Sequence, residues 1–246
     1  MKKVISFSLW GDDKRYTHGA LYNIELAKKV YPDWICRFYI GTSVTQHLVK
    51  QIEEADNTEV IKMSEEGDWT GMFWRFYAAG DPQVDVMISR DCDSRLWYRE
   101  KAAVDEWLAG DKDFHIMRDH PTSHNLFILG GMWGARNKVV SDINKLISQY
   151  QKESFYGVDQ NFLGEIIYPI IKDNTCIHND FENVDNTCEK KPFPYNRDST
   201  HFVGQGYESN GEPAYEDNGN PIFLSKDDKR TNNSFQRFMR KEIKKE

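Results

Sequence analysis

The first sixty residues alternate between apolar runs and amphipathic stretches, and this alternation constrains the fold more than any other feature of the sequence. Apolar runs at residues 3–9, 34–40 and 58–63 have the length and composition of buried strands. Helical patterns separate them, the first ending before Pro32 and the second covering residues 45–55. Because strands that alternate with helices form parallel sheets covered on both faces, this order predicts an α/β domain with a mostly parallel central sheet flanked by helices.

Later parts of the chain continue this pattern less regularly. Residues 72–79 predict a short aromatic helix, and the alternating apolar residues of 84–88 predict a strand that leads into an acidic cluster. Apolar spacing predicts a further strand at 114–117 and helices at 103–108, 139–150 and 158–167, the last closed by Pro169. The same α/β arrangement therefore extends across most of the chain.

One domain accounts for most of the 246 residues, because the sequence contains no internal repeat and no pattern of a second core. Residues 189–222 are rich in Pro, Gly, Asn and charge, and we expect them to wrap the domain as irregular segments. The last part, residues 226–246, carries eight Lys or Arg and four acids. We therefore predict a domain at residues 1–225 and a basic C-terminal tail at 226–246.

Charge and composition exclude several classes of protein. The formal net charge is −7, which argues against nucleic acid as the main partner. Aromatic residues make up 13% of the chain, too many for a disordered protein. Apolar stretches are shorter than the ~18 residues of a membrane span, and the N-terminus lacks a signal-peptide pattern. Four cysteines without a C-x-x-C pair indicate reduced thiols. We therefore expect a cytoplasmic protein without an integral membrane segment.

The strongest local signal is the pair of carboxylates in Asp91-Cys92-Asp93, at the end of a predicted strand. Side chains two apart on an extended segment share a face, so both carboxylates can bind one divalent cation through hard oxygen ligands. Open α/β sheets also bind ligands at the carboxyl ends of their strands. The alternative is a solvated acidic turn, in which Arg90 and Arg95 neutralise the acids.

The exit of the first strand is a second candidate site. Ser8 and Trp10 precede a predicted helix whose free N–H groups can attract an anion, and Trp10 or Tyr16 can stack on a base. The alternative is an ordinary strand–turn–helix connection with a buried Trp. The phosphate-binding patterns G-x-G-x-x-G and G-x-x-x-x-G-K-[ST] are both absent from the sequence.

Three later motifs carry polar groups. Asp119 and His120, with His124 nearby, are candidate acid–base or acceptor-binding groups, although a zinc site is disfavoured because the His-x3-His spacing lacks a helical frame. Asp159-Gln160 begins a predicted helix. Asp159 is either a functional carboxylate or an acid whose negative charge only stabilises the helix N-terminus. His201 lies in a glycine-containing late segment and is either functional or structural.

Taken together and in this order, the motifs resemble those of nucleotide-sugar glycosyltransferases with the GT-A fold, a Rossmann-like single α/β domain. The resemblance is closest to the family-8-like branch, extends to small glycosyltransferase domains of chlorella viruses and bacteria, and covers roughly residues 3–207. It implies a metal-dependent hexosyl- or deoxyhexosyltransferase. The donor is expected to be a nucleoside-diphosphate sugar, UDP-linked, and the acceptor a glycan or another hydroxyl compound.

The resemblance also implies roles for individual residues. Mn²⁺ or Mg²⁺ would be bound by Asp91, Asp93 and His201. The donor would be bound by Ser8, Trp10, Tyr16, Arg75, Cys92 and Gly204. The sugar and acceptor would contact His120, Gly130, Gly131 and Gln160. The carboxylate near the anomeric carbon would be Asp159 or Asp119.

The sequence also departs from the family pattern. Gln205-Gly206-Tyr207 replaces the Lys-Pro-Trp that follows the late His-Phe-x-Gly motif in typical family-8 members, and Ser94-Arg95 replaces an apolar continuation after the second Asp. Two alternatives remain. One is a metal-dependent nucleotidyltransferase or nucleotide-sugar hydrolase, and the other is a carbohydrate-binding module, which the many aromatic residues would suit.

Overall fold

A central sheet organises the part of the chain that the computed structural model describes, namely residues 1–136, 139–150, 153–181, 184, 188–197 and 201–214. Eight strands from these residues form the sheet in the order β3-β2-β1-β4-β6-β5-β7-β8. Strand β6 is antiparallel to β4 and β5, and the other neighbours are parallel. The strands are β1 (Lys3–Leu9), β2 (Ile35–Ile40), β3 (Thr58–Lys62), β4 (Val86–Ser89), β5 (Phe114–Arg118), β6 (Trp133–Arg136), β7 (Thr175–Asn179) and β8 (Lys190–Lys191).

Helices cover both faces of the sheet. They are α1 (Lys14–Val30), α2 (Gln46–Glu53), α3 (Tyr98–Ala109), α4 (Ile143–Gln149), α5 (Val158–Phe162) and α6 (Tyr168–Ile171), with 3₁₀ segments at Trp69–Gly80 and Lys172–Asn174. Side-chain caps begin two of the α-helices: Asp13 accepts a hydrogen bond from the Arg15 N–H, and Thr45 accepts one from the Leu48 N–H. Among the described residues, none of the helices combines the length and the apolar character that crossing a membrane requires.

The alternation of β1 separates two apolar cores. Ile5 and Phe7 pack on one face of the sheet among residues of α1, α2 and α3. Val4 packs on the other face with residues of the 3₁₀ segment Trp69–Gly80, α4 and α5. Because successive side chains of a strand point to opposite faces, Ser6 and Ser8 share the face of Val4 and reach the 3₁₀ segment. The polar side chains of β1 thus meet the element that carries Arg75.

The α/β prediction and the mostly parallel sheet are confirmed. Strand β6, which inserts antiparallel between β4 and β5, was not predicted, and neither were β7 and β8. The prediction that Pro169 closes the helix after residue 158 is wrong, because α5 continues through a π turn, Leu163–Ile167, into α6. In that turn the Tyr168 N–H donates to the Leu163 carbonyl, so Pro169 lies in the first turn of α6, where its missing N–H is tolerated. The predicted tail at 226–246 and the domain boundary at 225 lie outside the described residues.

Candidate active site

Arg75 joins three parts of the fold at one point. Its backbone is fixed by β1, because the Ser6 hydroxyl donates to the Arg75 carbonyl at 2.6 Å and the Arg75 N–H donates to the Ser8 hydroxyl at 2.9 Å. Its guanidinium donates to Asp159 Oδ2 at 2.8 Å through Nη2, and to Asp91 Oδ1 through Nη1. The motif arginine, the first acid of the D-x-D motif and the acid that begins α5 therefore form one ion-pair cluster. Ser8 supports this cluster by holding the backbone of Arg75.

Two adjacent glycines let the backbone approach this cluster. A Cβ atom at Gly130 would collide with Arg75 Nη2 and Asp159 Oδ2, and one at Gly131 would collide with Asp91 Oδ2. Ser89, the last residue of β4, fixes this backbone by donating from its hydroxyl to the Gly130 carbonyl at 2.7 Å. Glycine is therefore required at both positions for the three charged groups to keep their arrangement.

Asp159 is a buried carboxylate with only one of its oxygens engaged. Its side chain is 1% exposed, and burial raises its pKa, while the positive charge of Arg75 opposes that rise. Within the described ranges Asp159 Oδ1 has no hydrogen-bond partner. Gly157 precedes the helix with φ +87, a left-handed conformation that favours glycine. A buried acceptor atom without a partner is costly in a folded protein, so Oδ1 is suited to binding a ligand.

The acids of the D-x-D motif lie beside each other with different exposure. The Asp91 side chain is 37% exposed and the Asp93 side chain 14%, and Arg15 Nη2 lies 2.9 Å from Asp93 Oδ2. Burial, and then the charge of Asp91, raises the pKa of Asp93 to about 6. A divalent cation would relieve this repulsion, and carboxylate oxygens suit Mn²⁺ or Mg²⁺. Cys92 points elsewhere, because its buried thiol donates to the Ser8 carbonyl at 3.3 Å.

Solved structures that share the fold include two with bound sugar nucleotides. The mannosyltransferase PcManGT from Pyrobaculum calidifontis, in complex with GDP-Man and Mn²⁺, has a TM-score of 0.51 at 11% identity over 78% of this chain and 57% of that chain. S. aureus TarS 1-349, in complex with UDP-GlcNAc, has a TM-score of 0.52 at 13% identity over 77% of this chain and 60% of that chain. The chain has a glycosyltransferase fold.

This likeness confirms the predicted GT-A-like fold. At such low identity it shows the fold alone, so the family-8 branch stays a prediction. This chain spans less than two thirds of the length of either of those chains. No protein-family model and no curated protein matches the sequence.

Trp10 and Tyr16, the aromatic residues at the exit of β1, are both half-buried. The Trp10 ring packs edge to face on Trp74, with ring centroids 6.0 Å apart, and Gly71 lies in close contact with it. Tyr16 lies in the first turn of α1, and burial, followed by the charge of Asp93, raises its pKa to about 12. Tyr16 therefore lies near the acidic motif and Trp10 packs on the 3₁₀ segment, and the base-stacking role of both residues stays a prediction.

The late segment contacts the D-x-D motif through its backbone. The Tyr207 N–H donates to the Asp93 carbonyl at 2.9 Å, and a Cβ at Gly206 would lie 2.7 Å from Arg15 Nη2. Arg95 lies between the rings of Tyr22 and Tyr207, 5.1 Å from each centroid. Gly204 has a left-handed backbone conformation, with φ +84, and a Cβ there would collide with Met132. Glycine at this position therefore allows the late segment to follow its path. These contacts fix the segment beside the acids.

His201 does not join the two acids in a metal cluster in this conformation. Its Nδ1 lies 2.6 Å from the Tyr207 hydroxyl and 3.3 Å from Gln205 Oε1. Burial lowers its pKa to about 3. It lines a cavity of about 570 Å³ beside α3, and neither Asp91 nor Asp93 lines that cavity. Within the described part of the chain, the three predicted ligands do not come within 4.8 Å of one another. The role of His201 as a third ligand stays a prediction.

Asp119 is the centre of a second, fully buried charge cluster. Arg99 binds both carboxylate oxygens, with Nε–Oδ2 at 3.0 Å and Nη2–Oδ1 at 2.9 Å. Arg197 donates to Oδ1, and the Val203 N–H donates to Oδ2 at 2.9 Å. Both oxygens of Asp119 are therefore engaged in holding the late segment against the sheet. Nδ1 of the neighbouring His120 accepts hydrogen bonds from the backbone N–H groups of Thr122, at 3.1 Å, and Ser123, at 2.9 Å.

Sequence reasoning missed the arginines that neutralise these acids, namely Arg15, Arg99 and Arg197. Arg15 carried a usable signal, because a cation in the first turn of a helix is disfavoured by the helix dipole and suggests another role. Arg99 and Arg197 are 20 and 78 residues away from Asp119 in sequence, and no local pattern connects them.

Proposed function

We propose that the protein is a metal-dependent glycosyltransferase that moves a sugar from a nucleoside-diphosphate sugar, UDP-linked, to a hydroxyl acceptor such as a glycan. The observation that carries this proposal is the cluster Asp91–Arg75–Asp159, closed on one side by the backbone of Gly130 and Gly131. Opposed charges after β4, on the 3₁₀ segment and at the start of α5, with one buried acceptor oxygen available, suit a ligand that brings both an anionic diphosphate and a polar sugar.

The proposed metal ligands are Asp91 and Asp93, with His201 as the third. When bound, Mn²⁺ or Mg²⁺ would neutralise the charge that develops on the diphosphate leaving group. The donor set fits such an ion, because two neighbouring carboxylates supply hard oxygens and Asp93 is disfavoured as an anion by burial and by Asp91. The neighbouring structure with GDP-Man and Mn²⁺ supports a divalent cation in this fold.

The nucleoside is proposed to lie over the exit of β1, between Trp10 and Tyr16, with Gly204 and Cys92 in the supporting backbone. The UDP-GlcNAc and GDP-Man complexes of proteins with this fold support a sugar-nucleotide donor. Arg15 and Arg75 are the cations next to the acids and would balance the charge of the diphosphate.

The sugar is proposed to lie against Gly130 and Gly131, where Asp159 Oδ1 can accept a hydrogen bond from a sugar hydroxyl or stabilise positive charge at the anomeric carbon. Arg75 orients this carboxylate, and its positive charge opposes the rise in pKa that burial causes. Gln160 and His120 are the proposed acceptor-side groups. Both oxygens of Asp119 are engaged by protein donors, so Asp159 is the better candidate for the reacting centre and Asp119 for positioning the late segment.

The test is a panel of nucleoside-diphosphate sugars with Mn²⁺, scored by nucleotide release with and without glycan acceptors. The proposal expects release that depends on metal and is increased by an acceptor, and loss of both effects in the Asp91→Asn, Asp93→Asn double variant. Equal release without any acceptor would favour a hydrolase. Release of sugar 1-phosphate, with transfer of the nucleoside monophosphate to added pyrophosphate, would favour a nucleotidyltransferase. Glycan binding that needs neither metal nor nucleotide would favour a carbohydrate-binding module.

A further inference from the structure

A second polar cluster lies inside the fold, between the sheet and α3, and the site described above does not use it. His115 of β5 and Cys176 of β7 are register partners on adjacent parallel strands, and His178 follows two residues later on the same face. Both imidazoles are fully buried, and the thiol is 6% exposed. We propose that these three residues bind a transition-metal ion of the zinc class.

The ligand atoms already converge. His115 Nε2 lies 2.8 Å from His178 Nδ1, and Cys176 Sγ lies 3.9 Å from the same nitrogen. One ligand atom from each of the three residues lies within 4.8 Å of the others. Nitrogen ligands about 2.0–2.1 Å from a tetrahedral zinc are roughly 3.3 Å apart, so binding requires the rings to separate by only about half an ångström.

The surroundings orient these ligands. Glu106 of α3 places Oε2 3.7 Å from His178 Nε2, the ring nitrogen that faces away from the cluster. This distance is longer than a hydrogen bond, but the nearby negative charge favours a proton on the outer nitrogen, which leaves the inner nitrogen as a metal ligand. Trp107 stacks on His115 with ring centroids 5.1 Å apart and fixes the plane of that ring. Lys191 lies 3.3 Å from Glu106 and balances its charge.

A structural pair of histidines is the competing explanation, and it accounts for the cluster less completely. His115 Nδ1 lacks a hydrogen-bond partner within the described ranges under either explanation, whereas the Cys176 thiol, 3.9 Å from His178 Nδ1, has a role only if the cluster binds an ion. Apolar residues would fill the same space without burying two imidazoles and a thiol. Nitrogen and sulfur ligands together favour zinc-class ions over Mn²⁺ or Mg²⁺, so the cluster is chemically distinct from the carboxylates Asp91 and Asp93.

Binding of the metal ion displaces two protons from the ligand atoms, and both have a destination. The Cys176 thiol proton is released to solvent as the metal–sulfur bond forms. The proton of the hydrogen bond between the rings leaves His115 Nε2 for Nδ1, so that Nε2 can bind the ion. The described residues supply three ligands, which leaves the fourth position of a tetrahedral ion to solvent. The bound ion would connect β5 and β7 and, through Glu106, hold α3.

Cobalt(II) titration of the full chain tests this proposal, because thiolate-bound Co²⁺ absorbs in the near ultraviolet and oxygen-bound Co²⁺ does not. After chelator treatment, the wild type should develop this band up to one equivalent of Co²⁺, and Zn²⁺ should displace it. Cys176→Ser should abolish the band, whereas Cys36→Ser and Cys188→Ser should retain it. His178→Asn should weaken Co²⁺ binding by at least about tenfold, because it removes one of the two imidazole ligands.

Absence of the band in the wild type, or an equal band in Cys176→Ser, would overturn the proposal. Circular dichroism first establishes that each variant is folded. If Cys176→Ser does not fold, the His178→Asn variant decides the question, and unchanged Co²⁺ affinity in that variant would overturn the proposal.

Discussion

At the scale of single residues, the account depends most on the close approach of the Gly130-Gly131 backbone to three charged side chains. Gly131→Ala would place a methyl group against Asp91 Oδ2 and displace that carboxylate from Arg75. Because small displacements in a positioned site are costly, we expect turnover to fall by about a hundredfold. Gly164→Ala is the matched control, since an added Cβ there meets only Phe127 at 3.9 Å. Steady-state kinetics and thermal unfolding of both variants measure the effect. Normal turnover in Gly131→Ala would contradict the proposed site.

The buried ion pair between Arg75 and Asp159 gives a second prediction at the same scale. Arg75→Met removes the cation and leaves Asp159 buried without its partner, so we expect a loss of about 3–5 kcal/mol in the free energy of unfolding. Adding Asp159→Asn to Arg75→Met removes the uncompensated charge and should restore much of the stability, but not the activity. Denaturant unfolding and a donor-dependent assay separate the two effects. A loss in the double variant that equals the sum of the losses in Arg75→Met and in Asp159→Asn alone would mean that the pair is not coupled.

At the scale of elements, Asp119 connects α3, β5 and the late segment. Its carboxylate is not exposed, and it is held by Arg99, Arg197 and the Val203 N–H. Asp119→Asn removes the negative charge and leaves two buried arginines without their main partner, so we expect destabilisation by about 3 kcal/mol or more. If Asp119 positions the segment, hydrogen exchange at 201–207 should increase as well. If Asp119→Asn keeps full stability and unchanged hydrogen exchange at 201–207 but loses activity, the result would contradict the positioning role and favour a catalytic role for Asp119.

A buried histidine beside the late segment makes the free energy of unfolding of the protein depend on pH. Burial, followed by the charges of the neighbouring His120, Arg197 and Arg118, lowers the pKa of His124 from 6.5 to about 3. Between about pH 3 and 6.5 the unfolded chain therefore binds more protons at this residue than the folded protein does, and the free energy of unfolding falls as pH falls below 6.5. One such group contributes a slope of at most about 1.4 kcal/mol per pH unit.

The matched variants for this prediction are His124→Asn and His47→Asn. Asparagine at 124 keeps an acceptor for the Asp119 N–H, which His124 Nδ1 now accepts at 2.8 Å, and removes the titrating group. Denaturant unfolding between pH 7 and 5, without metal, should show a shallower pH dependence in His124→Asn. His47 is exposed on α2, so His47→Asn should keep the wild-type slope. Equal slopes in all three proteins would contradict the assignment.

Elements with strong periodicity could be predicted from the sequence, and those set by tertiary contacts could not. The β1–α1–β2–α2–β3 unit follows from local apolar spacing and from Pro32, because each element buries a face of its own. Strand β6 has four residues, Trp133–Arg136, and its antiparallel direction depends on the space between β4 and β5. The same holds for β7, whose pattern Thr175–Asn179 includes three polar residues that pair with β5.

The candidate site divides in a similar way. The sequence predicts Asp91 and Asp93 on one face of an extended strand, whereas β4 ends at Ser89 and Cys92-Asp93 form a turn, so their closeness comes from that turn and their metal role stays a prediction. The pairing of Arg75 with Asp159 spans 84 residues and depends on α5 packing against the 3₁₀ segment, so the local pattern could indicate Asp159 at a helix start, but only the resemblance to a family suggested Arg75. The engagement of His201 by Tyr207 was not predictable, since the sequence does not show which way an imidazole in a glycine-containing segment points.

At the scale of the whole molecule, the sheet order explains why the proposed site forms where it does. β1 lies between β2 and β4, and the residues that follow β1 and β4 carry Trp10, Tyr16, Asp91 and Asp93. The connection from β1 leads to β2 and the connection from β4 leads towards β5, so the chain diverges along the sheet order at the carboxyl ends of these two neighbouring strands. The zinc-class cluster lies further along the sheet, on β5 and β7. We therefore expect the two metal sites to be loaded independently.

The central claim is that Asp91 and Asp93 bind the donor through a divalent cation, and calorimetric titration with UDP tests it most directly. We predict that the wild type binds UDP at least about tenfold more tightly with Mn²⁺ than with a chelator, a difference of about 1.4 kcal/mol. In the folded Asp91→Asn, Asp93→Asn double variant Mn²⁺ should have no effect on UDP affinity, whereas Gly164→Ala should behave as the wild type. UDP affinity that is the same with and without Mn²⁺, or a metal effect that persists in the double variant, would contradict the account.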